Sequence, residues 1–292
     1  MFNATAPEMK RDVSAAAGLT PKRIRQIILE QSKRANVGHI GSCLCVVEII
    51  CALYTKVLRI STPSDPDRDR FILSKGHAAL ALYAALALKG HITVEDLASF
   101  CGESTFLGVH PEYQVAGVDF ATGSLGHGLS LAAGAALAAR MQRSTRRIFC
   151  LISDAECNEG SVWEAAMFSS HHRLQNLTVV VDVNGQQALG LTREVLDISN
   201  LAERWRSFGW QATEVDGHSL DQLSEILNAE ASVAGAPRVV LARTVFGRGV
   251  SFMVAGKALT QTHLTDQPIN WHYLPMSDEE YRIAMAELEA AD

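Results

Sequence analysis

The sequence predicts an α/β fold in which a central parallel sheet carries helices on both faces. The chain has 292 residues, of which 48% are hydrophobic and 20% charged, an ordinary composition for a globular protein. From about residue 118 onward, strand-like segments alternate with helical segments of about ten to fifteen residues. This alternation is typical of βαβ units, whose strands run parallel.

The part of the chain before residue 60 is predicted to be mainly helical. The segment 21–58 repeats apolar residues at helical spacing in RIRQIILEQSKRA and VVEIICALYTKVL, and Pro21 suits a first helical turn. The glycine-flanked sequence VGHIGS separates these two runs. A loop STPSDPDRDR, a short strand FILS and an alanine-rich helix KGHAALALYAALALKG follow.

The remaining elements follow the α/β alternation. A glycine-rich turn, TGSLGHG, precedes a helix that extends to about residue 142. Strands are predicted at RIFCLIS, LTVVVDVN, QATEVD and RVVLARTV, and helices at about 159–174, around LAERWRSFGW and at SLDQLSEILNAEA. Because no repeat or linker is evident, we expect one domain over residues 1–292. It would have a helical N-terminal region (about 20–60) and a less regular C-terminal extension (about 247–292).

Charge and hydropathy argue against two classes of partner. The formal net charge is −6 and the basic residues are scattered, so we expect no nucleic acid partner. The longest apolar runs, such as Ala78 to Leu88, are too short to cross a bilayer, and the N-terminus lacks the apolar core of a secretory signal. We therefore expect no membrane association and a cytoplasmic protein.

Two polar residues follow neighbouring predicted strands. Asp154 closes RIFCLISD and Asn184 closes LTVVVDVN, with one helix between them. Since both strands end at the same edge of a parallel sheet, the two side chains can converge. Carboxylate and amide oxygens suit Mg²⁺ or Ca²⁺, and Mg²⁺ usually takes its remaining ligands from phosphate groups and water. The sequence therefore predicts a phosphorylated cofactor held through a metal ion.

The run SDAECNEGSVWEAAMFSSHHRLQNLTVVVDVNGQ resembles the thiamine diphosphate motif of transketolases, which opens with Gly-Asp-Gly and closes with Asn, here thirty positions after Asp154. The pairs Glu159-Gly160, Glu164-Ala165 and Asn176-Leu177 stand at matching spacings. The segments GHIGS, LSKGHAA, TGSLGHG and GVHPE also match transketolases, over about residues 20–290. The resemblance implies a thiamine diphosphate-binding fold and the N-terminal, diphosphate-binding (PP) subunit of a split transketolase.

The resemblance also implies roles for individual residues. Asp154, Asn184 and the backbone carbonyl of Gln186 would hold Mg²⁺ (or Ca²⁺) against the diphosphate of thiamine diphosphate. The histidines expected to face the thiazolium and the donor sugar are His39, His77, His110 and His272. The residues expected beside the cofactor are Gly123, Ser124, Leu125, Asp154, Ala155, Glu159, Asn184 and Gln186.

By the same resemblance, this chain is one part of an enzyme of carbohydrate metabolism. A second subunit would supply the pyrimidine-binding and C-terminal domains, and the expected assembly is an α2β2 heterotetramer. The complete enzyme would transfer a two-carbon ketol unit from a ketose donor to an aldehyde acceptor. Glu159 and Glu164 match glutamates near the interface between cofactor halves, whereas Glu156 matches none and is predicted to be solvated.

The chain departs from the transketolase pattern in two places. Ser153-Asp154-Ala155 replaces Gly-Asp-Gly, and a positive φ at Ala155 would cost roughly 1–2 kcal/mol. The stretch AGKALTQTHLTDQPIN before His272 looks longer than usual, and His263 within it could replace or supplement His272.

Two other functions are consistent with parts of the sequence. The chain could be the alpha subunit of a 2-oxo acid dehydrogenase, or an E1-like component that loads a carrier protein. Alternatively, it could be a non-catalytic, degenerate thiamine-fold module kept for assembly, a reading that Ser153 and Ala155 support. The histidines of GHIGS, SKGHAA and GVHPE favour a sugar donor over a 2-oxo acid, and the intact Asp154/Asn184 pair with these three histidines argues against a non-catalytic module.

Overall fold

A five-stranded parallel sheet forms the centre of the protein. The computed structural model describes residues 18–230, 232–254 and 271–291. The strands are β1 (Arg70–Leu73), β2 (Ile148–Ser153), β3 (Leu177–Val183), β4 (Gln186–Gln187), β5 (Gly190–Leu191), β6 (Gln211–Asp216) and β7 (Arg238–Arg243). The strands of the central sheet lie side by side in the order β1-β2-β3-β7-β6, and every neighbouring pair is parallel. A short antiparallel hairpin of two strands, β4 and β5, lies outside this sheet.

Helices precede and connect the strands. Two of them, α1 and α6, contain fifteen residues each. Within the described ranges, no helix has both the length and the apolar character needed to cross a membrane. The helices are α1 (Pro21–Ala35), α2 (Ile40–Leu44), α3 (Val47–Ala52), α4 (Ala79–Leu88), α5 (Val94–Ala98), α6 (His127–Met141), α7 (Gly160–His171), α8 (Thr192–Val195), α9 (Leu201–Ser207), α10 (Leu220–Asn228) and α11 (Asp278–Ala290).

Side chains of the central strands alternate between two hydrophobic cores. In β2, Phe149 and Leu151 belong to one core, whereas Ile148, Cys150 and Ile152 belong to the other. This alternation follows from the two-residue period of a strand. Residues of α1, α3, α4, α10 and α11 complete the first core, and residues of α6, α7 and α9 complete the second. The predicted parallel sheet with helices on both faces is therefore confirmed.

The last described part of the chain forms a helix that the sequence analysis did not predict. This helix is α11, and its residues Ala284 and Leu288 are buried in the first core. Ser277 begins the helix with a capping box: its hydroxyl accepts from the amide of Glu280, whose carboxylate accepts from the amide of Ser277. The sequence SDEE already carries this signal, which the prediction missed.

All five central strands end at one edge of the sheet. Beyond β1 lies the segment Ser74–His77, which includes a one-turn helix, and beyond β2 and β3 lie Asp154 and Asn184. Thr244 follows β7, and its amide donates to the carbonyl of Val183 at the end of β3. This edge, where open α/β sheets bind ligands, carries most of the polar residues singled out in the sequence.

The start of α6 packs so closely against β1 that only glycine fits. A Cβ on Gly128 would lie 2.3 Å from Ser74 Oγ and 2.7 Å from Ser74 Cα. Gly128→Ala should therefore lower the free energy of unfolding by roughly 1–3 kcal/mol. The matched control is Gly134→Ala on the same helix, where nothing lies within 4 Å. There the better helix propensity of alanine should stabilise by up to about 1 kcal/mol. Urea unfolding measures the free energy of unfolding of both variants. Equal changes in the two variants would contradict the close contact between Gly128 and Ser74.

Candidate functional site

Asp154 lies at the end of β2 and holds the β4–β5 hairpin. Its Oδ1 accepts from the amide of Ala155 at 2.8 Å. Its Oδ2 accepts from the amide of Gly185 at 2.8 Å and from the hydroxyl of Thr192 at 3.2 Å. Gly185 and Thr192 flank the hairpin, so one carboxylate fixes both of its ends. This brings Asp154, Asn184 and Gln186 together, as predicted.

The carboxylate of Asp154 is buried without a cation beside it. Only 2% of the residue is exposed, and among the described residues it forms no ion pair. Burial, followed by the nearby charge of Asp182, raises its pKa to about 6. A bound divalent cation would compensate this buried charge. The donor set therefore fits a hard metal ion.

An open cavity of about 670 Å³ adjoins these residues. Asp154, Asn184 and Gln186 line it, together with Thr192 and Arg193. Gln186 also has a buried side-chain oxygen, Oε1, that has no hydrogen-bond partner among the described residues. The cavity therefore offers polar groups and space for the phosphorylated part of a cofactor.

A fully buried ion pair joins the ends of β1 and β3. Lys75 Nζ lies 2.6 Å from Asp182 Oδ2, and both side chains are completely buried. Burial alone would lower the pKa of Lys75, but the charge of Asp182 outweighs it and raises that pKa. Likewise, burial would raise the pKa of Asp182, but the Lys75 ammonium holds it below its ordinary value.

Asp182 also collects three further donors. The hydroxyl of Thr244 donates to its Oδ1. The amide nitrogen of Asn184 donates to its Oδ2 at 2.7 Å, and the Cys45 thiol lies 3.1 Å from the same oxygen. Because the side-chain nitrogen of Asn184 is held by Asp182, the side-chain oxygen of Asn184 also has a fixed orientation. This oxygen accepts from the amide of Gln186. The ion pair thus orients a predicted metal ligand.

Three histidines from distant parts of the chain form a cluster. The ring centroids of His39, His77 and His272 lie 5.4 Å, 5.8 Å and 5.9 Å apart. The amide of His39 donates to the carbonyl of His272 at 3.0 Å, which joins the turn before α2 to the segment after residue 270. Phe246 stacks on His272, with 6.0 Å between the ring centroids.

The histidine cluster is uncharged at neutral pH. Burial, and then the charge of His39 and Lys75, lowers the pKa of His272 to about 4. Burial likewise lowers the pKa of His39, and that of His77 well below its ordinary value. The Nδ1 atoms of His39 and His272 are buried without a hydrogen-bond partner among the described residues. Neutral rings with free nitrogens can accept or donate hydrogen bonds to a polar ligand.

His110 joins the cluster to the glycine-rich turn. A Cβ on Gly123 would lie 3.2 Å from His110 Cδ2, and one on Gly76 would lie 2.9 Å from the Gly123 nitrogen. The turn is thus packed between His110 and the segment that carries His77. Ser124 and Leu125 lie in the same turn, before α6. Glu159 also approaches it, since a Cβ on Gly126 would lie 2.8 Å from Glu159 Cβ.

The prediction that Glu156 is solvated is wrong. The residue is completely buried. Its Oε1 accepts from the Ser74 hydroxyl and from the amide of Gly126 at 2.8 Å, and its Oε2 accepts from the amide of Ser153 at 3.2 Å. Burial raises its pKa, although these hydrogen bonds oppose the shift. Glu156 therefore holds the glycine-rich turn against the ends of β1 and β2.

Comparison with known proteins decides the family. The family profile "Transketolase, thiamine diphosphate binding domain" matches residues 18–278. This chain belongs to the transketolase family. It is 38% identical to a 6-deoxy-6-sulfo-D-fructose transketolase subunit from Clostridium sp. (strain MSTE9), over 91% of this chain and 94% of that one. It is 32% identical to an apulose-4-phosphate transketolase subunit from Phocaeicola vulgatus, over 92% of each chain.

Solved transketolases share the fold. The Campylobacter jejuni enzyme superimposes with a TM-score of 0.80 at 25% identity, covering 92% of this chain. A Pichia stipitis transketolase variant in complex with fructose 6-phosphate gives a TM-score of 0.80 at 27% identity. This chain spans 42% and 40% of the length of those two chains. The predicted fold and family are confirmed, and so is the predicted function as one subunit of a thiamine diphosphate-dependent transketolase.

The structure bears on the two departures from the transketolase pattern, at Ala155 and before His272. Ala155 does not have a positive φ, because it lies in a one-turn helix capped by Asp154, so the transketolase domain bears no such strain here. His272 is described and lies in the histidine cluster, whereas His263 lies outside the described residues. The individual roles of the site residues stay predictions.

Several residues that hold this candidate site together were not predicted from the sequence. Lys75, Thr192 and Thr244 received no role, although Lys75 is close in sequence to His77. The one signal was a lone lysine between an apolar strand and an apolar helix, in FILSKGHAALAL. A lysine is almost never fully buried without an oppositely charged partner, so a lysine between two apolar segments implied that such a partner exists.

Breaking the buried ion pair should be costly. Lys75→Met leaves Asp182 buried without its cation and should lower the free energy of unfolding by about 3–5 kcal/mol. The matched control is Lys56→Met, which removes an ion pair with Asp221 that is largely exposed. Its loss should change stability by less than about 1 kcal/mol. Urea unfolding at pH 7.5 measures both; similar small effects would show that the Lys75 pair does not hold the site together.

The pKa of His272 predicts acid sensitivity. Its folded-state pKa of about 4 lies below the ordinary 6.5. The imidazole of His272 therefore binds a proton more readily in the unfolded chain than in the folded one. As a result, the free energy of unfolding falls as the pH drops below 6.5, and this contribution is fully lost below about pH 4. At pH 5 the loss should be on the order of 2 kcal/mol.

His272→Gln should remove this contribution. The measurement is the difference in unfolding free energy between pH 7.5 and pH 5 for wild type and variant. His171→Gln, at the exposed end of α7, serves as the control and should keep the wild-type difference. An unchanged pH dependence in His272→Gln would show that its imidazole is not held neutral by burial.

Proposed function

We propose that this chain binds the diphosphate end of thiamine diphosphate with a divalent metal ion, and that a second subunit completes a transketolase. The observation that carries the proposal is the buried, cation-free Asp154 carboxylate on the same sheet edge as the histidine cluster. The match over more than 90% of two relatives that are named as subunits supports the two-chain arrangement. The residues at about 1–292 would act as one diphosphate-binding domain.

The metal ion is proposed to be Mg²⁺ (or Ca²⁺). Asp154, Asn184 and the carbonyl of Gln186 would provide the ligands from the protein, and the diphosphate would provide others. The residues proposed to lie beside the cofactor are Gly123, Ser124, Leu125, Ala155 and Glu159. Bound thiamine diphosphate supplies the nucleophilic carbon that accepts the two-carbon unit from a ketose and passes it to an aldehyde.

The histidines are proposed to bind and orient the donor sugar. Because burial keeps His39, His77 and His272 neutral, each can accept a proton from a sugar hydroxyl or donate a hydrogen bond to an oxygen. His110 packs on the glycine-rich turn and would face the same donor sugar. The cluster thus suits a polyhydroxylated donor.

The partner is proposed to carry the pyrimidine-binding and C-terminal domains in an α2β2 heterotetramer. Glu159 and Glu164 are exposed, as an interface role for them requires. Met167 and Phe168, on the same helix α7, are 51% and 40% exposed and offer apolar area to an adjoining chain. The cytoplasmic location stays a prediction.

The alternatives are less well supported. The relatives described above are transketolases, which favours a ketose donor over a 2-oxo acid. The degenerate module drew its support from Ser153 and Ala155, and the backbone of Ala155 is unstrained. The two subunit relatives are named for a sulfosugar and for apulose 4-phosphate, so the donor of this chain is proposed only as a ketose.

Replacing Asp154 tests the metal assignment. Asp154→Ala should abolish Mg²⁺-dependent binding of thiamine diphosphate, because it removes the one carboxylate among the proposed ligands. Calorimetric titration of the cofactor with Mg²⁺, into the chain co-purified with its partner, measures the affinity. Asp216→Ala, an exposed aspartate at the end of β6 on the same sheet edge, is the control. Unchanged affinity in Asp154→Ala would refute the assignment.

The same titration into the chain alone tests the two-chain arrangement. Tight binding that requires the partner would support a split enzyme. Tight binding by the chain alone would show that the site is complete without a second subunit. No binding by a verified complex would favour a non-catalytic module.

A further inference from the structure

Tyr273 stands at the mouth of the histidine cluster. Its ring centroid lies 4.8 Å from that of His272 and 5.5 Å from that of His39, at interplanar angles of 75° and 70°. The residue is 53% exposed, whereas His272 is 9% exposed. Half of an aromatic side chain therefore remains uncovered beside buried imidazoles.

The backbone fixes Tyr273 in this place. The amides of His39 and Gly41 donate to the carbonyls of His272 and Trp271, at 3.0 Å and 3.3 Å. A Cβ on Gly38 would lie 2.3 Å from the Tyr273 carbonyl oxygen, so the two turns are in direct contact. The ring is therefore presented by a braced turn, and little ordering is needed when a ligand meets it.

Tyr273 adds an uncharged aromatic face to this wall. The Tyr273 hydroxyl has no hydrogen-bond partner among the described residues, and its neighbours His39 and His272 are neutral because of burial. Such a ring attracts C–H groups of a carbon chain and provides no cation for a terminal anion. It suits the middle carbons of a sugar better than a charged end group.

We propose that Tyr273 determines which ketose donors are used, by covering the carbons beyond the bond that is cleaved. This inference rests on the proposed function, because it assumes that the donor lies against the histidine cluster. A donor with few carbons would end before reaching the ring, whereas a longer donor would bury it. Tyr273 therefore favours long ketoses over short ones.

The test compares donors of different length in the complex with its partner and cofactor. Erythrulose represents the short donors, and xylulose 5-phosphate, fructose 6-phosphate and sedoheptulose 7-phosphate represent the longer ones. Tyr273→Ala should lower kcat/KM for the longer donors roughly tenfold or more, mainly through KM, and should leave erythrulose nearly unchanged. Tyr273→Phe, which keeps the ring, should restore the wild-type ratio of long to short donors.

Leu274→Ala is the matched control. Leu274 is the next residue along the chain and is 48% exposed, but it carries no aromatic ring. Its replacement should leave the donor ratio unchanged, and all three variants should bind thiamine diphosphate as wild type does. A merely structural effect of Tyr273→Ala would lower activity with all donors alike, and that result would overturn the inference.

The possible results distinguish a failure of this inference from a failure of the proposed function. If the wild-type complex turns over ketoses and Tyr273→Ala keeps the same ratio of kcat/KM for long to short donors, the inference is overturned and the proposed function stands. A Tyr273→Phe variant as impaired as Tyr273→Ala would also overturn it, since the ring would not be the determinant. No ketol transfer by the wild-type complex from any ketose would remove the proposed function, and the inference with it.

Discussion

The buried ion pair of Lys75 and Asp182 is the interaction on which the rest of the site depends. It joins the segment after β1 to β3, and through Thr244 it also reaches the end of β7. Two charges without solvent are stable only when their geometry is good and their remaining hydrogen-bonding capacity is used. Here Asn184 and Cys45 use that capacity. The residues predicted to bind the metal ion and the segment that carries His77 are therefore joined through one buried pair.

Two aspartates on adjacent strands show how environment separates their tasks. Asp182 has a cation in contact, which lowers its pKa, and its charge is already neutralised. Asp154 has no cation in contact among the described residues, and burial together with the nearby charge of Asp182 raises its pKa to about 6. Closely placed groups whose pKa values move in opposite directions commonly have different functions. Asp182 stabilises the framework, whereas the negative charge of Asp154 would be available to an incoming cation.

Local pattern and the rules of parallel sheets predicted the strands, most helices and the convergence of Asp154 with Asn184. The histidines came from resemblance, because nothing local in GHIGS reveals that His272, more than two hundred positions later, packs against His39. Glu156 was misjudged for a similar reason: its partners Ser74 and Gly126 are distant in sequence and approach only when β1, β2 and α6 pack. Lys75 and Asp182 are separated by 107 positions. Contacts of this kind depend on tertiary packing rather than on periodicity.

The contact of Asp154 with both ends of the β4–β5 hairpin has a consequence for how the site fills. The same two oxygens that accept from Ala155, Gly185 and Thr192 would face the metal ion, so occupancy and hairpin position share one carboxylate. By thermodynamic linkage, a change that loosens the hairpin would alter the affinity for the proposed metal ion, and binding of the ion would in turn stabilise one position of the hairpin. If the metal ion binds as proposed, the position of the hairpin and the occupancy of the site would therefore change together.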